Sequence, residues 1–449
     1  MAKSTNLDHM ARVAFVTLGC PKNEVDSDRM MASVDASTFA LVDDIADADV
    51  VVLNTCGFIQ DAVEEGVETA MELAAWRDAF PNRKLVIAGC MVSRYGADLE
   101  HSLTEADAFV PVSDETGIVS VLAGLVGGDD ATPTSSFALL DSADEAVVSR
   151  MPVRGPSAYL QISDGCFRTC TYCTIPSIRG PYRSRPLPKL LAEARFLIET
   201  GARELVLVGQ DTSAWGRDLP GPEVLADVVR SLAGLEGLSW LRIMYLQPDG
   251  VTDELLAAMA AETNVCRYLD IPLQHASADV LKAMHRSGSA AQFLGMLERI
   301  RAHMPDAVLR TSVIAGFPGE TSADVSELIR FIQDAGFDYV GVFPYSPEDG
   351  TVAATLPGLL AKRTRIARAQ RLRDAADGVG VEAAAARVGS VVEVLSEGVD
   401  EEGVPVGRWR GQAPEVDGIV LLDREVDPGC IVSARVVDTL GYDLEAEVL

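Results

Sequence analysis

Three closely spaced cysteines in the middle of the chain could hold an iron–sulfur cluster. Cys166, Cys170 and Cys173 form a C-x3-C-x2-C segment. A cubane cluster normally takes four thiolates, so three thiolates leave one iron with an open position at which a cofactor can bind. One alternative is a zinc site, but the segment holds no histidine; another is cysteines that bind no metal. The spacing favours the cluster.

An open iron position suits S-adenosylmethionine (SAM), which can chelate the iron through its amino and carboxylate groups and then accept an electron. Tyr172, next to the last cysteine, could cover the adenine of SAM, while simple packing is the other interpretation of an aromatic residue there. The segment therefore predicts a SAM-binding 4Fe–4S cluster and a radical SAM enzyme.

A second set of three cysteines is spread over the N-terminal third of the chain. Cys20, Cys56 and Cys90 each follow a predicted strand within a tight, glycine-containing turn. The carboxyl ends of parallel strands lie on one edge of a sheet, so the three thiols are expected to converge there. Small apolar cysteines also pack at strand ends. Three at equivalent positions favour a second cluster, again with a vacant iron.

Several residues at the predicted ends of barrel strands are candidates for binding SAM. Gln210 or Asp211 could bond a ribose hydroxyl, and a glycine turn lets a ligand approach the backbone closely. A lone histidine at such a position is more often structural, and an arginine in a strand could equally pair with a neighbouring acid. The candidates are Gln210, Asp211, His275, Arg310, Gly316 and Gly319.

Other polar residues and cysteines have simpler interpretations. The arginines after the cysteine loop, Arg179, Arg183 and Arg185, could hold a carboxylate or cluster charge or form a solvated basic stretch. We expect the arginines between Arg363 and Arg373 to form the solvated face of a helix. The two remaining cysteines are expected in the core; they are Cys266 and Cys430.

The alternation of strands and helices predicts two α/β domains that position these residues. Residues 10–127 alternate in the manner of a small, doubly wound parallel α/β domain. Residues 128–151 are expected to form a linker, with a short strand at Phe137–Leu140. Six further βα units within residues 152–385 fit a partial TIM-type barrel, closed by a long helix at Ala361–Arg387.

The C-terminal residues 386–449 have a different pattern. Short β-rich runs are separated by Gly, Pro and acidic turns, which indicates a small antiparallel β-barrel. The predicted strands are Val391–Leu395, Gly418–Leu422 and Ile431–Thr439. From Gly389 to Leu449 the chain carries 14 Asp and Glu against four Arg, a net charge of −10.

Length and charge limit the possible functions. A chain of 449 residues suggests two or three domains. No apolar N-terminal signal segment or membrane-length apolar run is present in the sequence, so we expect a cytoplasmic protein that does not enter a membrane. The net charge of −29 disfavours RNA over most of the surface and favours either a basic protein partner or simply solubility.

The sequence resembles the radical SAM methylthiotransferases over nearly its whole length. Leu18-Gly-Cys-Pro-Lys-Asn-Glu-Val-Asp-Ser27 is similar to the RimO-like subfamily, whereas MiaB-like enzymes typically have Gly-Cys-Gln-Met-Asn there. The Arg168–Gly180 segment, Arg183-Ser-Arg-Pro186 and Pro272-Leu-Gln-His-Ala-Ser277 are also RimO-like. The resemblance implies a methylthiotransferase domain, a radical SAM barrel and a C-terminal TRAM barrel.

The resemblance also implies the reaction and its partners. It implies two 4Fe–4S clusters, one for radical generation and one for sulfur donation, with SAM as the cofactor. RimO-like enzymes methylthiolate the β-carbon of an aspartate in the twelfth protein of the small ribosomal subunit. The electron donor would be of low potential, such as flavodoxin or ferredoxin. The alternatives are MiaB-like modification of isopentenyl-adenosine in tRNA, and a two-cluster electron carrier, which the open clusters disfavour.

Overall fold

We describe residues 10–37, 39–126 and 148–449 of a computed structural model of the chain. They divide into two compact units. The first contains residues up to Met151 together with 165–167 and 174–181; the second contains the remaining residues from Pro152 to Leu449. The predicted strand at Phe137–Leu140 and most of the predicted linker lie outside the described residues. No helix in the described ranges is both long and apolar enough to cross a membrane.

The first unit contains a five-stranded parallel sheet of order β2-β1-β3-β4-β5. The strands are β1 (Arg12–Thr17), β2 (Ala40–Leu41), β3 (Val50–Thr55), β4 (Lys84–Gly89) and β5 (Ala108–Pro111). The helices are α1 (Pro21–Asp35), α2 (Gln60–Asp78), α3 (Cys90–Tyr95), α4 (Ala97–Ser102) and α5 (Ile118–Val126), joined by the short α6 (Ile175–Arg179) from later in the chain.

Strand β3 shows why this sheet is covered on both faces. All six residues of β3 are buried. Val51 and Leu53 enter one apolar core, whereas Val50 and Val52 enter the other. Because successive side chains of a strand point to opposite faces, a continuous apolar strand needs helices on both sides. The predicted doubly wound α/β fold is confirmed.

The last residues of the predicted linker are packed against the first unit. Arg150 is buried, and its Nη2 lies 2.9 Å from Asp28 Oδ2 on α1. Burying a guanidinium is costly unless the charge is paired. The last described residues before the second unit are therefore anchored to the first unit.

The second unit begins with a six-stranded parallel sheet in the order β13-β12-β11-β10-β9-β6. A sheet whose strands follow chain order, each joined to the next by a helix, is a partial TIM-type barrel, as predicted. Its strands are β6 (Ser157–Gln161), β9 (Glu204–Val208), β10 (Trp240–Ile243), β11 (Val265–Asp270), β12 (Val308–Ala315) and β13 (Tyr339–Pro344); a two-stranded ribbon adds β7 (Ser163–Asp164) and β8 (Arg183–Ser184).

Helices cover the outside of this sheet. They are α7 (Leu187–Glu199), α8 (Leu225–Ala233), α9 (Asp253–Ala261), α10 (Ala278–Ala283), α11 (Ala290–His303), α12 (Ser322–Ala335) and the long α13 (Lys362–Ala385). The apolar faces of these helices and the strands form one large core. Cys266 is buried in β11, as expected.

The face of α13 corrects one expectation. We expected the arginines between Arg363 and Arg373 to be solvated. Arg368 instead pairs with the buried Glu320, Nη1 to Oε1 at 2.7 Å, and Arg373 Nη2 donates to the Val342 carbonyl at 3.0 Å. Part of the arginine series therefore fixes α13 to the barrel strands.

The chain ends in a closed five-stranded barrel of order β14-β15-β16-β18-β17. Its pairs are antiparallel except for β16 with β18, which is parallel. The strands are β14 (Val391–Val399), β15 (Pro405–Trp409), β16 (Val420–Leu422), β17 (Ile431–Leu440) and β18 (Asp443–Val448). The expectation that Cys430 lies in the core is wrong: Cys430 is exposed in the turn before β17.

A buried cluster of charges joins this small barrel to the six-stranded sheet. Glu204 on β9 accepts hydrogen bonds from Arg242 Nε at 2.7 Å and from Arg408 Nη2 at 2.6 Å. All three side chains are at most 1% exposed. Burial raises the pKa of Glu204, but the two guanidiniums outweigh it and lower the pKa to about 2. Glu204 is therefore an anion that neutralises two buried cations.

Candidate functional site

The three N-terminal cysteines follow three neighbouring parallel strands. Cys20, Cys56 and Cys90 come after β1, β3 and β4, which are adjacent in the sheet. The side chain of Asn23 lies among them. Its Oδ1 accepts from Cys20 Sγ at 4.0 Å and from Cys90 Sγ at 3.6 Å. The carboxyl edge of the sheet thus brings thiols from distant parts of the chain to one place.

Gly19 allows the close approach of Cys56. A Cβ atom at Gly19 would lie only 2.7 Å from Cys56 Cβ and 3.4 Å from Cys56 Sγ. Gly19 also has a φ of +103°, which residues with a side chain rarely adopt. The Gly19-Cys20 turn therefore depends on glycine for both conformation and space.

Burial keeps two of these thiols neutral when they have no metal. It raises the pKa of the Cys90 thiol to about 12, against the opposing effect of the nearby Arg179 cation, and it also raises the pKa of Cys56. Neighbouring thiols of the set raise both values further. A metal must bind thiolates, so binding at this edge would release protons.

The donor set fits an iron–sulfur cluster better than a single metal ion. No group of three or more His, Cys, Asp or Glu side chains in the described ranges is arranged to hold one ion. A cubane presents a different iron to each thiolate, so its ligands need not surround one point. Three half-buried or buried thiols at one sheet edge provide the required chemistry, with no fourth thiol in the set.

Arg179 lies at the same edge. Its Nη2 is 2.7 Å from Asp26 Oδ2, 2.9 Å from Asn23 Oδ1 and 3.4 Å from Cys90 Sγ. The sequence left two readings open for this arginine, and the structure supports the charge-holding one. Of the two other arginines that follow the cysteine loop, Arg183 is exposed, and Arg185 pairs with Glu193.

The barrel cysteine loop is held by backbone contacts at several points. Cys173 N donates to Cys170 O at 3.2 Å, and Cys166 N donates to Gly180 O at 3.3 Å. Between the last two cysteines, Thr171 N donates to the Met284 carbonyl, which follows α10. All three thiols are half-buried. The loop therefore has a defined backbone that leaves its thiols partly open.

Arg286 is a residue of this region that the sequence reasoning missed. Its Nη1 donates to Cys170 Sγ at 3.8 Å, while Nη2 donates to Gln247 Oε1 at 2.8 Å and to the Pro272 carbonyl at 2.7 Å. These partners come from loops after three different strands. No motif marks Arg286, because its relation to Cys170 exists only in the folded chain.

Two residues that were predicted to contact SAM instead show the alternative interpretation: Tyr172 packs against apolar side chains, and Arg310 pairs with acids. Tyr172 packs against the apolar cluster around Phe317 and Tyr345, and burial raises the pKa of its hydroxyl. Arg310 Nη1 lies 3.0 Å from Asp270, and its Nε lies 3.3 Å from Asp417. The guanidinium of Arg310 is thus engaged by two carboxylates, which favours the acid-pairing interpretation.

Gln210 and Asp211 follow β9, as predicted. Gln210 Nε2 donates to Asp164 at 3.1 Å, and its Oε1 is buried without a hydrogen-bond partner among the described residues. Asp211 is fully buried and accepts from Arg168 Nε at 2.6 Å. Gln210 therefore retains an acceptor for a ligand hydroxyl, while Asp211 holds a residue of the cysteine loop.

His275 and the glycine turn are linked through Glu320. His275 is fully buried; its Nδ1 accepts from Ser277 N, and its Nε2 is 3.5 Å from Glu320 Oε2. The same carboxylate oxygen accepts from Gly316 N at 2.8 Å, and Gly319 N donates to Gly358 O. In this structure His275 is a structural hydrogen-bonding residue beside the turn.

Comparison with family models matches three regions of the chain. Residues 12–111 match the uncharacterized protein family UPF0004, residues 160–332 the radical SAM superfamily, and residues 388–449 the TRAM domain. The matched regions correspond to the doubly wound unit, the six-stranded barrel and the closed C-terminal barrel described above.

Curated relatives match over almost the whole chain. The ribosomal protein uS12 methylthiotransferase RimO of Syntrophus aciditrophicus is 43% identical, covering 97% of this chain and 98% of that protein. The RimO protein of Moorella thermoacetica is 40% identical, covering 98% and 100%.

Solved structures show the fold at low identity. The radical SAM methyltransferase TsrM from Kitasatospora setae matches with a TM-score of 0.54 and 16% identity, over 76% of this chain and 77% of that one. The cobalamin-dependent SAM radical enzyme OxsB matches with a TM-score of 0.50 and 11% identity, over 82% and 56%.

Proposed function

Because the chain belongs to the family of ribosomal protein uS12 methylthiotransferases named RimO, we propose that it adds a methylthio group to the β-carbon of an aspartate in uS12. The observation that carries the proposal is the second cysteine set. A radical SAM loop alone serves many reactions, but here Cys20 and Cys90 both contact Asn23 at the edge of a separate sheet, and Cys56 follows the strand that lies between theirs. That edge offers a place for sulfur donation.

We assign one 4Fe–4S cluster to each cysteine set. Cys166, Cys170 and Cys173 would hold the SAM-binding cluster, and Cys20, Cys56 and Cys90 the auxiliary one. Three thiols in each set leave one iron free of protein ligands. When bound, the two clusters and SAM supply a carbon radical that can remove hydrogen from an unactivated carbon, together with sulfur for transfer.

The residues of the chain would orient these groups. Thr171 and Arg286 fix the loop around Cys170, and Gln210 keeps a free acceptor for SAM. We keep His275 and the turn from Gly316 to Gly319 as the boundary of the SAM site. Tyr172 and Arg310 are weaker candidates, because packing and ion pairing already occupy them.

Charge supports a protein substrate over tRNA. The chain carries −29, and residues 389–449 carry −10. An RNA-binding barrel would need Lys and Arg to neutralise phosphates. An acidic surface instead attracts a basic protein such as one from the ribosome. We propose that the enzyme works in the cytoplasm with a low-potential donor such as flavodoxin or ferredoxin.

We further propose that the chain is organised as residues 10–127, a connection at 128–151, a barrel at 152–385 and a TRAM domain at 386–449. The family-model matches to 12–111, 160–332 and 388–449 support these limits.

The test combines substrate choice with cluster variants. Reconstituted enzyme, SAM and dithionite are incubated with uS12 or with tRNA, and products are analysed by mass spectrometry. We expect methylthiolation of uS12 alone. Cys170→Ala should abolish reductive SAM cleavage, whereas Cys20→Ala should cleave SAM but transfer no methylthio group.

Cys430→Ser is the matched control, because this exposed thiol belongs to neither set. It should behave like the unmodified enzyme. Full methylthiolation by Cys20→Ala would refute the role of the auxiliary site. Modification of tRNA but not of uS12 would refute the substrate, and absence of reductive SAM cleavage would indicate an electron carrier.

A further inference from the structure

A buried cation lies against one thiol of the N-terminal cysteine set. The Arg179 side chain is 2% exposed, and its Nη2 is 3.4 Å from Cys90 Sγ. A buried guanidinium is costly, and replacing it with an apolar residue often leaves stability unchanged or improved. Packing alone therefore gives little reason for an arginine at this position.

Two side chains fix the guanidinium in place. Asp26 Oδ2 accepts from Nη2 at 2.7 Å, and Asn23 Oδ1 accepts from it at 2.9 Å. Asn23 cannot turn its oxygen away easily, because its Nδ2 donates to the carbonyls of Leu18 and Thr55 at 3.0 Å each. The arginine is thus oriented before any cluster binds.

The negative charge that balances Arg179 comes from Asp26, in the first turns of α1. Asp26 is 8% exposed, and its other oxygen lies 4.0 Å from Arg29. Asn54 Nδ2 donates to the backbone carbonyl of Asn23, which holds the start of α1 against β3. A cation and an anion at fixed positions beside the thiols give this edge a defined local field.

We propose that Arg179 is a positioning residue of the auxiliary site, donating an N–H to the Cys90 sulfur and thereby setting the retention and the reduction potential of the cluster bound there. The inference rests on the proposed function, which places that cluster on Cys20, Cys56 and Cys90. Hydrogen bonds and positive charge near cluster sulfur stabilise the more negative, reduced state. Asp26 opposes this effect through its negative charge.

Because Arg179 and Asp26 carry opposite charges, the inference predicts reduction-potential shifts of opposite sign when each is replaced. Removing the cation should shift the cluster to a more negative potential. Removing the anion should shift it to a more positive one. A role limited to stabilising the fold would not produce opposite shifts from the two partners of one ion pair.

The experiment uses the full-length chain with Ala at the barrel cysteines, so that only the auxiliary site can bind a cluster. The replaced residues are Cys166, Cys170 and Cys173. After anaerobic reconstitution, iron content against a chelator and an EPR-monitored redox titration are measured for Arg179→Gln, Arg179→Lys and Asp26→Asn. Arg183→Gln is the control, since this arginine is exposed.

We expect Arg179→Gln to lower iron retention by about 10- to 100-fold, the usual cost of losing a partner of a metal ligand. Its potential should fall, that of Asp26→Asn should rise, and Arg183→Gln should match the parent. Arg179→Lys should recover part of both effects, because it keeps the charge and a donor.

Several results would overturn the inference. Equal potentials in Arg179→Gln and the parent would do so, as would shifts of the same sign in the Arg179 and Asp26 variants. Arg179→Gln could bind no cluster although its far-ultraviolet circular dichroism shows that it is folded. In that case, cluster binding by Arg179→Lys supports the inference. An Arg179→Lys variant that also binds no cluster contradicts it. A parent without any cluster would instead refute the auxiliary cluster itself, and this inference with it.

Discussion

Replacing Glu204 with Gln removes the one anion between two buried guanidiniums while keeping the shape of the side chain. Glu204 accepts from Arg242, Arg408 and Ser157 at 2.6 to 2.9 Å and is fully buried. The variant leaves the buried Arg242 without its paired carboxylate and leaves Arg408 with Glu397 alone, at 2.7 Å from its Nε. We therefore expect a large loss of stability.

Two estimates of that loss agree. The folded-state pKa of Glu204 is about 2 against an ordinary value of 4.5, which corresponds to about 3 kcal/mol, since one pKa unit is worth about 1.4 kcal/mol. Breaking a buried ion pair by removing one partner costs roughly 3–5 kcal/mol. Because the folded pKa lies below the unfolded one, this stabilisation is present above pH 4.5 and is lost as the pH falls toward 2.

The assay is urea unfolding at several pH values, followed by tryptophan fluorescence and far-ultraviolet circular dichroism. Trp240 is buried on β10, two residues from Arg242, and reports on this region. The chain has several domains, so free energies are compared only where both probes give the same transition. We expect Glu204→Gln to lose about 3 kcal/mol at pH 7 and much less at pH 3.

Glu236→Gln is the control, because Glu236 is an exposed glutamate near the same strands. Its effect should stay within about 0.5 kcal/mol at every pH. A difference below about 1 kcal/mol for Glu204→Gln at pH 7 would refute the reasoning. So would a difference that is the same at pH 7 and pH 3, because it could not come from the charge.

Three further substitutions test other parts of the structure. Gly316→Ala places a Cβ 2.6 Å from Arg365 Cγ at a residue whose φ is +80°. The free energy of unfolding should therefore fall by about 1–3 kcal/mol, and the melting temperature with it. An unchanged melting temperature would contradict the turn geometry. Tyr268→Phe removes a donor 2.7 Å from Asp417, whose side chain is fully buried, and should cost about 1–3 kcal/mol in urea unfolding. An unchanged unfolding free energy would contradict this expectation. Cys430→Ser should change the unfolding free energy by less than about 0.5 kcal/mol, and a larger loss would place this thiol in the core after all.

The sequence predicted the long elements well because their apolar patterns are strong. The long helix predicted at Ala361–Arg387 is α13 (Lys362–Ala385), and the strands predicted from Val391 and from Ile431 begin at the first residues of β14 and β17. The positions of Cys20, Cys56 and Cys90 after parallel strands followed from the same pattern, since the topology of a parallel sheet fixes which strand ends share an edge.

The missed elements have weak or misleading local patterns. β2 has only two residues, and α3 and α4 have six each, separated by Gly96. β15 begins with Pro405, and β18 alternates acidic with apolar residues, which resembled the acidic turns around it. In both cases pairing within a closed barrel decides the structure, and a single segment does not show its partners.

The roles of charged residues were the least predictable part of the site. Asp26 and Arg179 are 153 residues apart in sequence, and Arg310 pairs with Asp417 from the segment between β15 and β16. A sequence shows that an arginine needs a partner when it is buried, but it does not show burial or the partner. The structure was needed to separate Arg179, which lies beside a thiol, from Arg183, which is exposed.

The short helix α6 has a consequence for dividing the protein into fragments. It lies in sequence after the barrel cysteines, yet residues 174–181 pack within the first unit. A fragment ending at Met151 would therefore lack Ile178 and Arg179, and it would leave Asp26 near the thiols without its closest cation. The first unit is therefore built from separate stretches of the chain, and a truncation at Met151 would remove the arginine that lies beside Cys90.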